Sequence, residues 1–167
     1  MTNLIRWIGA GLLATGAMDL GSALIRKLGL IRGLTPQLIG RWFAYLARGE
    51  TAHGSILLTP PARGELPFAG IGHYLIGISL AVIFGAAFSA LLGQREQVSV
   101  GLGLAMAMLF GLVSCVLPWL VMFPSMGFGP FGVDAPAELL LLRTSLVNHL
   151  IFGAALGLFA RVLGAMR

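Results

Sequence analysis

Of 167 residues, 57% are hydrophobic and only 10% are charged, with a mean hydropathy of +0.93. A soluble globular domain carries about 25% charged residues, so a chain this poor in charge cannot cover itself in water and reads as an integral membrane protein. The net charge of +5 comes with no interleaved basic and aromatic surface, which excludes a nucleic-acid partner and makes the lipid bilayer the partner of the excess.

A membrane-crossing helix needs about 20 apolar residues, and charges bracket four such segments. The first span lies between Arg6 and Arg26, about residues 7–25. It is read as retained rather than cleaved. Asp19 interrupts it, apolar residues continue beyond, and no A-x-A site follows. Thr15, Asp19 and Ser22 are spaced four and three, a polar stripe on one helical face.

The loop after it holds "LTPQLIGRWFAYLARGE". Thr35 and Pro36 make a cap and first-turn pair. Leu38, Ile39, Trp42, Phe43 and Leu46 share a face, and Gly49 suits the stop. The pattern predicts a short amphipathic helix over about 36–48, lying in the membrane interface with Arg41 and Arg48 reaching lipid phosphate. A polar, proline-bearing connector follows and contains His53.

The second span, about 67–93, opens with "GHYLIG", which carries His73 and Tyr74. The third, about 98–123, ends at Pro124 within "VMFPSMGFGPFG", which brings Met122 and Met126 near the same face. Cys115 lies inside this span; as the single cysteine it makes an internal disulfide impossible and reads as a small apolar filler. The fourth span, about 137–163, contains Arg143, Ser145 and His149. Asp134 and Pro136 mark an early start, from which Glu138, Ser145 and His149 would share a face. "NHLIFG" in this span echoes "GHYLIG" and suggests that the two halves are parallel repeats.

Small residues four apart, such as Ala17 and Gly21, Gly103 and Ala107, Ala107 and Gly111, or Gly153 and Gly157, let helices approach closely in lipid. They could serve packing within the chain, a homo-oligomer, or another membrane subunit. The loops between spans one and two and between three and four hold Arg26, Lys27, Arg32, Arg41, Arg48, Arg63 and Arg143. The opposite side holds Arg6, Arg95, Arg161 and Arg167. Positive residues collect in the cytoplasm, which predicts both termini outside and the long loop in the cytoplasm.

Ionisable residues inside a membrane are costly and tend to face a bundle interior. Asp19, His73 and His149 each lie roughly 9–12 Å along their helices from a flanking charge. Four-span topology puts all three at one side. They are the expected polar centre, with Thr15, Ser22, Tyr74, Ser145, Met122, Met126 and Arg143 around it and His53 in the roof. A carboxylate with two imidazoles suits a solute, proton or metal binding or transport component. Imidazole suits several transition metals, and Met suits Cu(I). Other readings are a buried network that only fixes helix packing, a bis-His haem site, or a membrane enzyme. No H-E-x-x-H, P-loop, C-x-x-C or G-x-S-x-G pattern is present, which leans away from an enzyme.

The ordered set "IGRWFAYLARG", "AHGSI", "RGE", "GHYLIGIS", "MFPSMGFG" and "RTSLVNHLIFGAALGLF" resembles the bacterial membrane proteins known as domain of unknown function 2938, from about residue 15 to residue 160. The resemblance implies a small four-span inner-membrane protein and no particular activity. By resemblance, His53, His73 and His149 fall where the family pattern also has His. The connector "GPFGVDAPAELLLL" departs from that pattern. The expected fold is therefore all-α, an integral membrane four-helix bundle with a short amphipathic helix in its first loop.

Overall fold

A computed structural model describes residues 2–92 and 98–166. Gly93, taken above as a span end, and Arg95 and Arg167, used in the charge comparison, lie outside the described residues. The chain is an all-helical membrane bundle. In order it forms α1 (Thr2–Lys27), α2 (Pro36–Leu46), α3 (Glu65–Leu92), α4 (Val100–Ser114), a π-helical turn (Pro118–Met122), α5 (Phe123–Ser125), two 3-10 turns (Pro130–Gly132 and Ala137–Leu139) and α6 (Leu141–Val162). Four segments, Asn3–Lys27, Glu65–Leu92, Val100–Ser125 and Ala137–Val162, are long and apolar enough to cross a membrane.

The third span is not one regular helix. Proline has no N–H to offer the carbonyl four residues back and its ring clashes there, so Pro118 cannot continue α4 past Ser114. The chain answers with a π-helical turn, closed by Phe123 N–H donating to the Pro118 carbonyl. The fourth span also departs from expectation. Leu140 adopts a left-handed conformation (φ 49°, ψ 42°) and separates the turn Ala137–Leu139 from α6. Regular helix therefore begins at Leu141. Asp134 does not cap it, and Glu138 sits exposed on the preceding turn, off the helix that carries Ser145 and His149.

The chain divides into two compact units. Unit 1 comprises residues 1–24, 74–114 and 147–167. Its core gathers Trp7, Ala14, Met18, Phe84, Phe88, Phe152 and Leu156. Glycine lets its helices nearly touch. A side chain at Gly11 would come within 2.9 Å of Ala81 Cβ and Ile78 Cα, so α1 and α3 pack backbone to side chain. A side chain at Gly153 would meet the Ala107 carbonyl at 2.6 Å, and one at Gly111 would meet Gly153 Cα at 2.9 Å and collide with the His149 carbonyl. The small residues of α4 and α6 are thus used against each other within the chain. A side chain at Gly21 would meet Ile151 of α6 at 3.1 Å.

Unit 2 comprises residues 25–73 and 115–146. Its core is Leu34, Trp42, Ile56, Phe123, Met126, Phe128 and Leu141, with Leu38, Ile39 and Phe43 packed against it. The apolar face of α2 therefore lies on protein. Thr35 caps α2 by accepting from Leu38 N–H at 3.3 Å, and Pro36 opens its first turn. The Gly40 backbone is so close to Glu65 at the start of α3 that any side chain there would collide with the Glu65 carbonyl.

Candidate functional site

In unit 1 the polar side chains of the spans form two hydroxyl-linked pairs. Asp19 is on α1, roughly two turns before its end at Lys27, and its carboxylate is hydrogen-bonded to the hydroxyl of Tyr74 on α3. A side chain at Gly16, almost a turn earlier, would lie 3.6 Å from that same hydroxyl, so the absence of one leaves room for the tyrosine against α1. Asp19 is exposed on the outer surface of its helix, whereas Tyr74 is half-buried. The pair is therefore accessible from outside the fold.

The second pair joins α4 to α6. Ser114 Oγ lies 2.6 Å from the Gly111 carbonyl and 2.7 Å from His149 Nδ1. Ser114 has one hydroxyl proton. Two oxygens 2.6 Å apart with no proton between them would repel, so that proton belongs to the contact with Gly111. With the hydroxyl proton on the Gly111 contact, Nδ1 is the ring atom that donates to Ser114 Oγ. The close approach at Gly111 and Gly153 brings the two helices near enough for this bond.

Thr15 and Ser22 do not complete the expected polar stripe. Both are buried while Asp19 is exposed. Thr15 donates to the Gly11 carbonyl of its own helix at 2.8 Å, and its side chain packs where Gly77 of α3 has none.

The other expected residues belong to unit 2, where His73 is half-buried in α3. His53 is held by its backbone, which donates to the Ser125 carbonyl at 2.8 Å. Its ring stands edge-on to Tyr45 with centroids 5.3 Å apart, and Nδ1 lies 3.4 Å from Thr59 Oγ1. Its Nε2 is buried without a hydrogen-bond partner. Around it, Trp42 Nε1 donates to Ser125 Oγ at 2.6 Å, Ser125 Oγ donates to the Thr51 carbonyl at 2.6 Å, and Ile56 N–H donates to the Met126 carbonyl at 2.9 Å. Gly127 has φ +83°, a conformation glycine adopts freely, and a side chain there would collide with the Gly54 carbonyl. The connector and the "MFPSMGFG" turn are thus latched together.

Met126 is fully buried in the unit 2 core and Met122 packs against it, so both act as filling. Ser145 has a buried hydroxyl with no partner, and its carbonyl lies 3.9 Å from Cys115 Sγ. Arg143 is exposed beside an apolar groove lined by Phe131, Val133 and Leu142.

Arg41, expected at lipid phosphate, is engaged within unit 2. Its Nε lies 2.7 Å from Glu65 Oε1, its Nη1 donates to the Thr59 carbonyl at 2.8 Å, and the two side chains are each 12% exposed. The cause is the Gly40 contact, which seats α2 on the start of α3 beside Glu65. The same Glu65 oxygen accepts from Ala62 N–H at 2.9 Å. Arg48 remains exposed, its guanidinium 5.3 Å from the Tyr45 ring centroid.

The sequence reading missed Ser114, Ser125 and the Arg41–Glu65 pair. Ser114 left a signal, an isolated hydroxyl within an apolar segment. The pair left none, because its partners are 24 residues apart. Among the described residues, no three His, Cys, Asp or Glu side chains are grouped closely enough to hold a metal ion.

A family model described as a protein of unknown function (DUF2938) matches residues 8–163. The chain belongs to this family. No curated protein matches the chain, and no solved structure matches it. Membership of the DUF2938 family agrees with the four-span reading and brings no activity with it.

Proposed function

We propose that this chain is a small proton- or cation-binding component of a bacterial inner membrane, possessing periplasmic termini and using the Asp19–Tyr74 and Ser114–His149 pairs as working groups. The carrying observation is the 2.7 Å contact between Ser114 Oγ and His149 Nδ1. On this reading Ser114 orients the ring and His149 carries the proton. A carboxylate within a span is costly to keep, and Asp19, exposed and bonded to Tyr74, is the proton or cation entry group. His73, adjacent to Tyr74 in sequence, and His53 in the latched connector are secondary relay groups. Arg48 contacts lipid phosphate beside them.

A second reading is favoured by the close approach of α4 and α6 at Gly111 and Gly153. On it, the Ser114–His149 bond fixes helix register in an accessory membrane subunit and moves no proton.

Proton flux separates the two. Protein in liposomes under a pH gradient, followed with an entrapped pH-sensitive dye, should dissipate the gradient faster than empty liposomes. Asp19→Asn and His149→Gln should each slow it at least about tenfold while the protein still melts cooperatively. Wild-type flux equal to that of empty liposomes, or variants as fast as wild type, contradicts the proposal. Stability loss without any wild-type flux supports the second reading.

A further inference from the structure

We infer that the groove between α4 and α6 beside the C-terminal turn binds an anionic phospholipid, with an acyl chain along its wall and the phosphate on Arg161. The groove measures about 300 Å³ and is lined by Val100, Gly103, Leu104, Gly157 and Leu158, with Arg161 among its few polar groups. Two glycines along it allow close packing of the residues around them. A side chain at Gly157 would meet Leu104 Cδ1 at 3.0 Å and Ala107 Cβ at 3.1 Å, and one at Gly103 would meet Met166 Sδ at 3.4 Å. Val100 and Leu158 on its rim are 61% and 58% exposed. An apolar trough on the outside of two membrane helices is filled by hydrocarbon in a bilayer.

Charge selects the headgroup. Arg161 Nη1 donates to the Val98 carbonyl at 3.0 Å, and Arg6 Nη1 donates to the Gly164 carbonyl at 2.9 Å. The two cations therefore flank one turn, which Gly164 N–H closes onto the Arg161 carbonyl. Among the described residues both rest on carbonyl dipoles and not on carboxylates. Among the described residues of unit 1 the acidic side chains reduce to Asp19, which lies toward the opposite end of α1 from Arg6. A guanidinium has five donors in a planar fork, and the bond to Val98 uses one of Arg161's. The fork suits a phosphate bidentately. The carbonyl bond fixes the side chain beforehand, which lowers the ordering cost of binding. A free phosphate would gain only the fork, whereas a phospholipid also gains the trough.

Native mass spectrometry of the detergent-purified full chain tests this with phosphatidylglycerol and phosphatidylcholine of identical chains, and with inorganic phosphate. Phosphatidylglycerol should be retained at least about fivefold over phosphatidylcholine, and inorganic phosphate at the same concentration should not displace it. Arg161→Gln should erase the preference and Arg161→Lys keep most of it. Ala154→Phe, which places a ring against the groove wall, should lower retention of both lipids. Equal retention of the two lipids by wild type, or a preference that survives Arg161→Gln, overturns the inference. Displacement by inorganic phosphate reassigns Arg161 to a free anion and overturns it too. A disulfide-linked dimer of Leu158→Cys that excludes lipid gives the groove to a second copy, with the same consequence. Should Arg161→Gln fail to fold, Arg161→Lys and Ala154→Phe still decide.

Discussion

Arg41→Met tests how α2 is held to the start of α3. The substitution removes a guanidinium that bonds Glu65 at 2.7 Å and the Thr59 carbonyl at 2.8 Å. With both side chains only 12% exposed, the carboxylate left behind keeps the Ala62 N–H but loses its counter-charge. The pair is part-buried, so the loss is that of hydrogen bonds to a charged group, about 1.5–3 kcal/mol. For a chain of this size each kcal/mol moves the melting temperature by about 2–4 °C, so the expected fall is roughly 3–12 °C. Glu65→Gln is milder, because an amide oxygen still accepts from Arg41 and Ala62. It forfeits the difference between a charged and a neutral hydrogen bond, about 1–1.5 kcal/mol. In the double variant no lone charge remains, so its loss should be smaller than the two single losses added. Thermal unfolding in detergent, followed by tryptophan fluorescence, measures all three. An Arg41→Met midpoint within about 1 °C of wild type, or strict additivity, refutes the assignment of this pair as the tie between α2 and α3.

Three further outcomes are expected from the same melting assay. Ser125→Ala removes the acceptor of Trp42 Nε1 and the donor to Thr51. Leaving the indole N–H unsatisfied should destabilise by about 1–3 kcal/mol; no change means that the latch is not made by Ser125. His53→Phe keeps the edge-on contact with Tyr45 and deletes a buried nitrogen that has no partner. It should raise the melting temperature, and a fall would show that Nε2 is satisfied by something the fold needs. Gly111→Ala places a methyl against the His149 carbonyl and Gly153, forcing α4 and α6 apart at a cost of about 1–3 kcal/mol. A neutral result removes the close approach that supports the Ser114–His149 bond.

The four spans and the all-helical class were legible because flanking charges delimit apolar runs and few alternatives exist in lipid. The start of α2 was legible because Thr35 and Pro36 act locally. The break at Leu140 was not. Apolar residues flank it on both sides, and nothing in a leucine announces a left-handed backbone. Proline at 118 gave the better clue, since it removes a donor wherever it stands, but the reading used Pro124 as the stop instead. Asp19 and His149 stand out in the sequence because titratable groups are rare among leucines. Their hydroxyl partners were not deduced, because pairing Ser114 with His149 depends on two glycines bringing two helices into contact. Arg41 shows a partner that its helical position does not announce. Its place on a helical face suggested lipid, while the Gly40 contact turned it toward Glu65.

The protonation of His149, oriented by Ser114, is open to direct measurement. Solid-state 15N NMR of histidine-labelled protein in lipid bilayers at neutral pH, with His149→Gln to assign the signal, reports which ring nitrogen carries the proton. A neutral ring protonated at Nδ1 and bare at Nε2, with that preference lost in Ser114→Ala, is the predicted result. A ring protonated at Nε2 in wild type, or one unaffected by Ser114→Ala, contradicts the account.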